Sequence, residues 1–77
     1  MNNNQRKQLQ EIIDNIDAFK IELESVKDEE QEKIDNTPEN LQGSEIYSNM
    51  EEVVNYLEDA ISELESAIDN IDSAINQ

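Results

Sequence analysis

The stretch Ala60-Ile61-Ser62-Glu63-Leu64-Glu65-Ser66-Ala67-Ile68-Asp69-Asn70-Ile71-Asp72-Ser73-Ala74-Ile75 declares a fold through its spacing. Ile61, Leu64, Ile68, Ile71 and Ile75 alternate at steps of three and four, which keeps one apolar stripe of a helix turned toward a neighbouring helix. Toward the N-terminus Leu57, Val54, Met50 and Tyr47 continue the stripe without a break. Ser44 precedes it, with a hydroxyl suited to capping the first free amides of a helix over residues 44–76. Ala60, Ala67 and Ala74 flank the stripe at intervals of seven and are small enough to admit another helix closely.

Upstream lies an elbow and then a second periodic segment. Leu9, Ile12, Ile16, Phe19, Leu23 and Val26 show the same three-four alternation, which predicts a helix over about 4–34 with these six residues as its seam. Any of Asn2, Asn3 and Asn4 is suited to capping it. Ile34 falls one residue out of step with that seam. Asp35-Asn36-Thr37-Pro38 closes the helix, Thr37 and Pro38 resemble an N-cap and first position of a single further turn, and Gly43 interrupts that turn. An elbow of about 35–43 leaves no room for a crossover, so the expected fold is all-α, an antiparallel two-helix hairpin of coiled-coil type in one domain spanning 1–77. Two helices leave much of each stripe open. Pairing of two hairpins into a four-helix bundle is therefore expected, with Val54, Leu57, Ile61, Leu64, Ile68, Ile71 and Ile75 as the oligomer seam, and Ile13, Val53 and the alanines widening the stripes.

Charge divides the chain unevenly. Residues 1–38 hold ten acids and five bases, whereas residues 39–77 hold ten acids and no base, so two thirds of the net −15 comes from the second half. Such a chain is repelled by nucleic acid and by anionic membrane surfaces, so direct binding to either is not expected. The longest apolar run is two residues, and no apolar stretch follows the first seven, so neither a leader peptide nor a membrane span is expected and a cytoplasmic location is.

On the second helix Glu51, Glu58, Glu65 and Asp72 repeat every seven residues and form one column on the side away from the alanines. Glu52, Asp59 and Asp69 lie further out. At ~1.5 Å rise per residue these seven acids span about 32 Å, or one charge per ~4.5 Å, against one phosphate per ~3.4 Å along each strand of DNA. Tyr56 stands one turn from both Glu52 and Asp59 and is the aromatic expected to project among the acids as a contact residue. A solvated outer face would look acidic too, and on the first helix that reading suffices, because Lys7 with Glu11, Lys20 with Glu24 and Glu29 with Lys33 are placed to pair at four-residue spacing. The second helix forgoes every such pair, and it carries Asp69 and Asp72 toward its C-terminus, where the helix dipole is already negative.

Chemistry other than binding has little to stand on. With no Cys and no His, the chain has no disulfide, no thiolate nucleophile and no histidine base for its serines. No acidic loop has calcium-binding spacing, helical carboxylates seven residues apart diverge too far to chelate one ion, and no glycine-rich phosphate loop is present. Neither an enzyme nor a metal or other cofactor is expected.

The elbow wording Asp28-Glu29-Glu30-Gln31-Glu32-Lys33-Ile34-Asp35-Asn36-Thr37-Pro38-Glu39-Asn40-Leu41-Gln42, followed by the recurring Ala-Ile pairs, resembles a group of small acidic helical-hairpin proteins encoded in phages and mobile elements of Gram-positive bacteria. That resemblance implies a setting, the cytoplasm of a bacterial host, and no mechanism. In size and charge, though not in sequence, the chain is also similar to inhibitors that imitate DNA. The expected function is an acidic binding module that blocks a basic nucleic-acid-binding protein of host defence or regulation. Glu51, Glu52, Tyr56, Glu58, Asp59, Glu65, Asp69 and Asp72 would be its contact surface. The alternatives are a structural coiled-coil module whose heptad seam is the working surface, and an antitoxin-like neutraliser of a basic protein.

Overall fold

The computed structural model describes all 77 residues, as helix α1 (Asn3–Asp35), a 3-10 turn (Glu39–Leu41) and helix α2 (Glu45–Ile75). There is no strand, and the two helices pack along their length as a rod of 59 × 15 × 12 Å. Their relative direction is fixed at both ends and in the middle. Arg6 reaches Ile75, Lys20 reaches Glu65, and Ile34 lies beside Val54, so the helices run antiparallel.

Each boundary has a local cause. Asn2 starts α1 with a reciprocal capping box: its side chain accepts from the Gln5 amide at 2.8 Å, and the Gln5 side chain accepts from the Asn2 amide at 3.1 Å. The Thr37 hydroxyl donates back to the Lys33 carbonyl at 2.8 Å, so it closes α1 and does not cap the following turn, as its place before Pro38 suggests. Ser44 caps α2 as expected, accepting from the Tyr47 amide at 3.2 Å. Gly43 has no positive φ, and an added Cβ would meet nothing. Gly43→Ala should therefore stabilise the hairpin by about 0.4–1 kcal/mol through the unfolded chain, a rise of roughly 2–8 °C in the thermal midpoint. A lowered midpoint would mean that the elbow needs glycine's freedom.

The α2 stripe is the one read from its spacing: all nine positions from Tyr47 to Ile75 are covered at least in part, Val54 and Ile61 most deeply. On α1 the seam differs from the expected one. Ile12, Phe19 and Val26 are 38%, 60% and 52% exposed, and the stripe that meets α2 runs through Arg6, Leu9, Ile13, Ile16, Lys20, Leu23, Lys27, Glu30 and Ile34. This is also a strict three-four alternation, and Ile34, out of step with the expected seam, is in step with this one and is buried. Charged residues occupy four of its positions. Their stems cover the α2 aliphatics while their heads reach solvent at the edges, which is why such a seam can hold.

The displaced seam rearranges the ion pairs. None of the three expected four-residue pairs forms. Lys20 turns inward to Asp17 at 3.5 Å and to Glu65 of α2 at 3.8 Å, Lys27 lies 3.8 Å from Asp28, and Lys33 bonds Glu30 at 3.3 Å.

Candidate partner-binding surface

Both helices now have assigned seams, so the two flanks of the hairpin can be compared. One flank is lined on α2 by Glu51, Glu58, Glu65 and Asp72 and on α1 by Gln10, Asp17, Glu24 and Gln31, the positions directly following the seam. The shared grooves confirm the pairing. Glu24, Lys27 and Asp28 line one open groove with Glu58, Ile61 and Glu65, and Gln31 lines the next with Glu51 and Glu58. The acidic column of α2 therefore continues across the groove onto α1 through Asp17, Glu24 and Asp28. Sequence reasoning missed these α1 acids because they belong to the flank only once Lys20 and Lys27 are recognised as seam residues.

All seven α2 acids singled out from the sequence are exposed. Glu51, Glu58, Glu65 and Asp72 form the groove-side column, Glu52 and Asp59 point away from α1, and Asp69 stands between the two sets. Tyr56 is 72% exposed but does not stand in the column. At 3.5 residues per turn it lies about 150° around the helix from Glu51 and Glu58. It borders Glu52 and Asp59 on one side and Val53 and Ala60 on the other.

Cations missing from α2 are supplied by α1. Lys20 is within ion-pair distance of Glu65, and Lys27 shares a groove with Glu58. Arg6 donates through Nε to the Ile75 carbonyl at 3.2 Å, and the Asn76 side chain donates through Nδ2 to the Asp72 carbonyl at 2.9 Å. The C-terminus of α2, acidic in sequence and without a basic residue in its last turn, is thus capped by an arginine from the other helix. Pairs this open contribute only ~0.2–1 kcal/mol each, and five bases against twenty acids leave most of the flank uncompensated.

No buried side-chain polar atom lacks a partner, and no group of three or more acids converges closely enough to hold a metal ion. No helix is long and apolar enough to cross a membrane. No protein-family model, curated protein or solved structure matches the chain.

Proposed function

We propose that this protein is an acidic binding module that occupies the basic, nucleic-acid-binding surface of another protein by presenting a DNA-like array of charge. The observation that carries this reading is the sorting of charge by flank. Six of the eight groove-side positions named above are Asp or Glu, from two helices, whereas the eight matching positions of the opposite flank hold seven apolar residues and Lys33, with no acid among them. A uniform coat of charge would serve solubility equally well; a sorted one gives the molecule a direction in which to attract a cationic partner. The phage or mobile-element setting implied by the elbow wording suits a target in host defence or regulation.

The heptad seam of α2, the working surface of a coiled-coil assembly module, is taken up by α1 within the hairpin. What is left for a partner is the outer surface. Glu51, Glu52, Glu58 and Asp59 are free of ion pairs within the chain, so their neutralisation to Gln or Asn isolates the field from the fold. Four exposed charges at ~0.5 kcal/mol each amount to roughly 2 kcal/mol, or about thirtyfold weaker binding. The test is to pass bacterial host lysate over the immobilised protein and over this variant. A nucleic-acid-binding protein should be retained by the first, released by salt, displaced by DNA and largely lost with the second. Equal retention of the same partner by both would overturn the proposal, and a retained toxin or nuclease without DNA displacement would favour the antitoxin-like alternative.

A further inference from the structure

We infer that the apolar flank, opposite the acidic one, is the face on which two copies of this chain pair. Its α1 half is a ridge of Ile12, Phe19 and Val26, and its α2 half is a channel of Ala60, Ala67 and Ala74 continued by Val53, which is 43% exposed. The register set by Lys20 with Glu65 places Phe19 level with Ala67, Val26 level with Ala60 and Ile12 level with Ala74. Large residues thus stand beside small ones at three successive levels with the same seven-residue period.

That arrangement selects a second copy and its orientation. A two-fold axis parallel to the helices lays α1 of each copy along α2 of the other, with each ridge entering the other's channel at matching height, and makes every neighbouring pair of helices antiparallel. A two-fold axis across the helices would instead set ridge on ridge. The flank is also the side on which two chains of charge −15 meet least repulsion. Its borders include Gln8, Asn15, Asn49, Tyr56 and Asn70, with glutamate at only three of the eight equivalent positions.

The area is adequate. From Val53 to Ala74 the flank runs about 32 Å, and two helices at ~9 Å spacing make it some 20 Å wide, so roughly 600 Å² per copy is covered, at the lower edge of stable interfaces. The isolated hairpin has need of it, since only Ile34, Val54 and Ile61 are buried. This pairing does not rest on the reading of the acidic flank, which stays outward on both sides of the bundle.

Sedimentation equilibrium of the full chain should give twice its 8.9 kDa mass. Phe19→Glu should weaken self-association on the order of 100-fold, as for a central interface residue, while Ile21→Glu, equally exposed but off this flank, should leave the dimer intact. In a mixture of Phe19→Cys chains and Ala67→Cys chains, oxidation should link the two kinds to each other in preference to like with like, because the two α1 helices lie diagonally across the bundle. A monomeric parent chain, a Phe19→Glu variant that still dimerises, or preferential Phe19→Cys homodisulfides would each overturn the inference. The cross-link separates this face from any other even if Phe19→Glu fails to fold.

Discussion

Ile61→Asp abolishes the hairpin: the expected result is loss of most of the helical circular dichroism signal, with no cooperative thermal transition. Ile61 is 8% exposed and forms the floor of the groove between Glu24, Lys27 and Asp28 on one helix and Glu58 and Glu65 on the other. Aspartate there removes about 1.5–3 kcal/mol of apolar burial and adds a desolvated carboxylate, for a total near 4–5 kcal/mol. At ~0.05–0.15 kcal/mol per residue, a chain of this length has about 4–12 kcal/mol of stability, and one in which only Ile34, Val54 and Ile61 are buried stands at the low end of that range. The added charge also sits among four acids with a single lysine. Ile61→Val, which removes one methylene from the same site, should cost only ~0.5–1.5 kcal/mol and keep the transition. A melting curve of Ile61→Asp within a few degrees of the parent would show that this groove is not where the two helices are held together.

The converse change acts in the opposite direction with about half that effect. Lys20 and Lys27 occupy seam positions on α1 with side chains only 20% and 27% exposed, and their heads leave the seam to reach Asp17, Glu65 and Asp28. Replacing both with Leu puts branched aliphatic groups against the α2 stripe and should stabilise the hairpin by about 1–2 kcal/mol per site, less the ~0.2–1 kcal/mol of each lost exposed pair. The net gain of roughly 1–3 kcal/mol corresponds to about 5–20 °C in the thermal midpoint. Fidelity should fall as stability rises, because a charged residue on a heptad seam fixes register and partner number at some cost in free energy. Sedimentation of the Lys20→Leu, Lys27→Leu double variant should therefore show species larger than those of the parent. A lowered midpoint would mean that the lysine pairs outweigh the packing they displace.

These two sites also show what could and could not be read from the sequence. On α2 every seam position from Tyr47 to Ile75 is apolar and no rival stripe exists, so spacing alone identified the covered face and Ser44 as its cap. On α1 two stripes share Leu9, Ile16 and Leu23. The one completed by Ile12, Phe19 and Val26 is wholly apolar, whereas the one completed by Ile13, Lys20, Lys27 and Ile34 is not. Counting apolar residues selects the first, and the fold uses the second. The preference has a physical source: lysine stems cover aliphatic surface, if less fully than leucine would, and their heads reach carboxylates at the edges of the seam, Asp17 and Asp28 on their own helix and Glu65 on the opposite one. Ile13 and Ile34, both out of step with the first stripe and in phase with the second, were the letters in the sequence that pointed to it. The same blind spot hid Asp17, Glu24 and Asp28 from the acidic surface, whereas Tyr56, on the helix whose seam was legible, borders Glu52 and Asp59 and stands away from the groove-side column.

Of the three deeply covered residues Ile34 and Val54 lie near the elbow and Ile61 at the middle of α2, while Leu9, Ile16, Ile68 and Ile75 toward the open end are only half covered. A chain built this way closes like a zipper. Joining Ile34 to Val54 spans the shortest loop and incurs the smallest closure entropy, and each later contact is made on a loop already shortened by the last. Opening runs the other way. Amide hydrogens near Ile34 and Val54 should exchange only with global unfolding, whereas those near Leu9 and Ile71 should exchange through fraying of the free ends, so protection along either helix reads out distance from the bend.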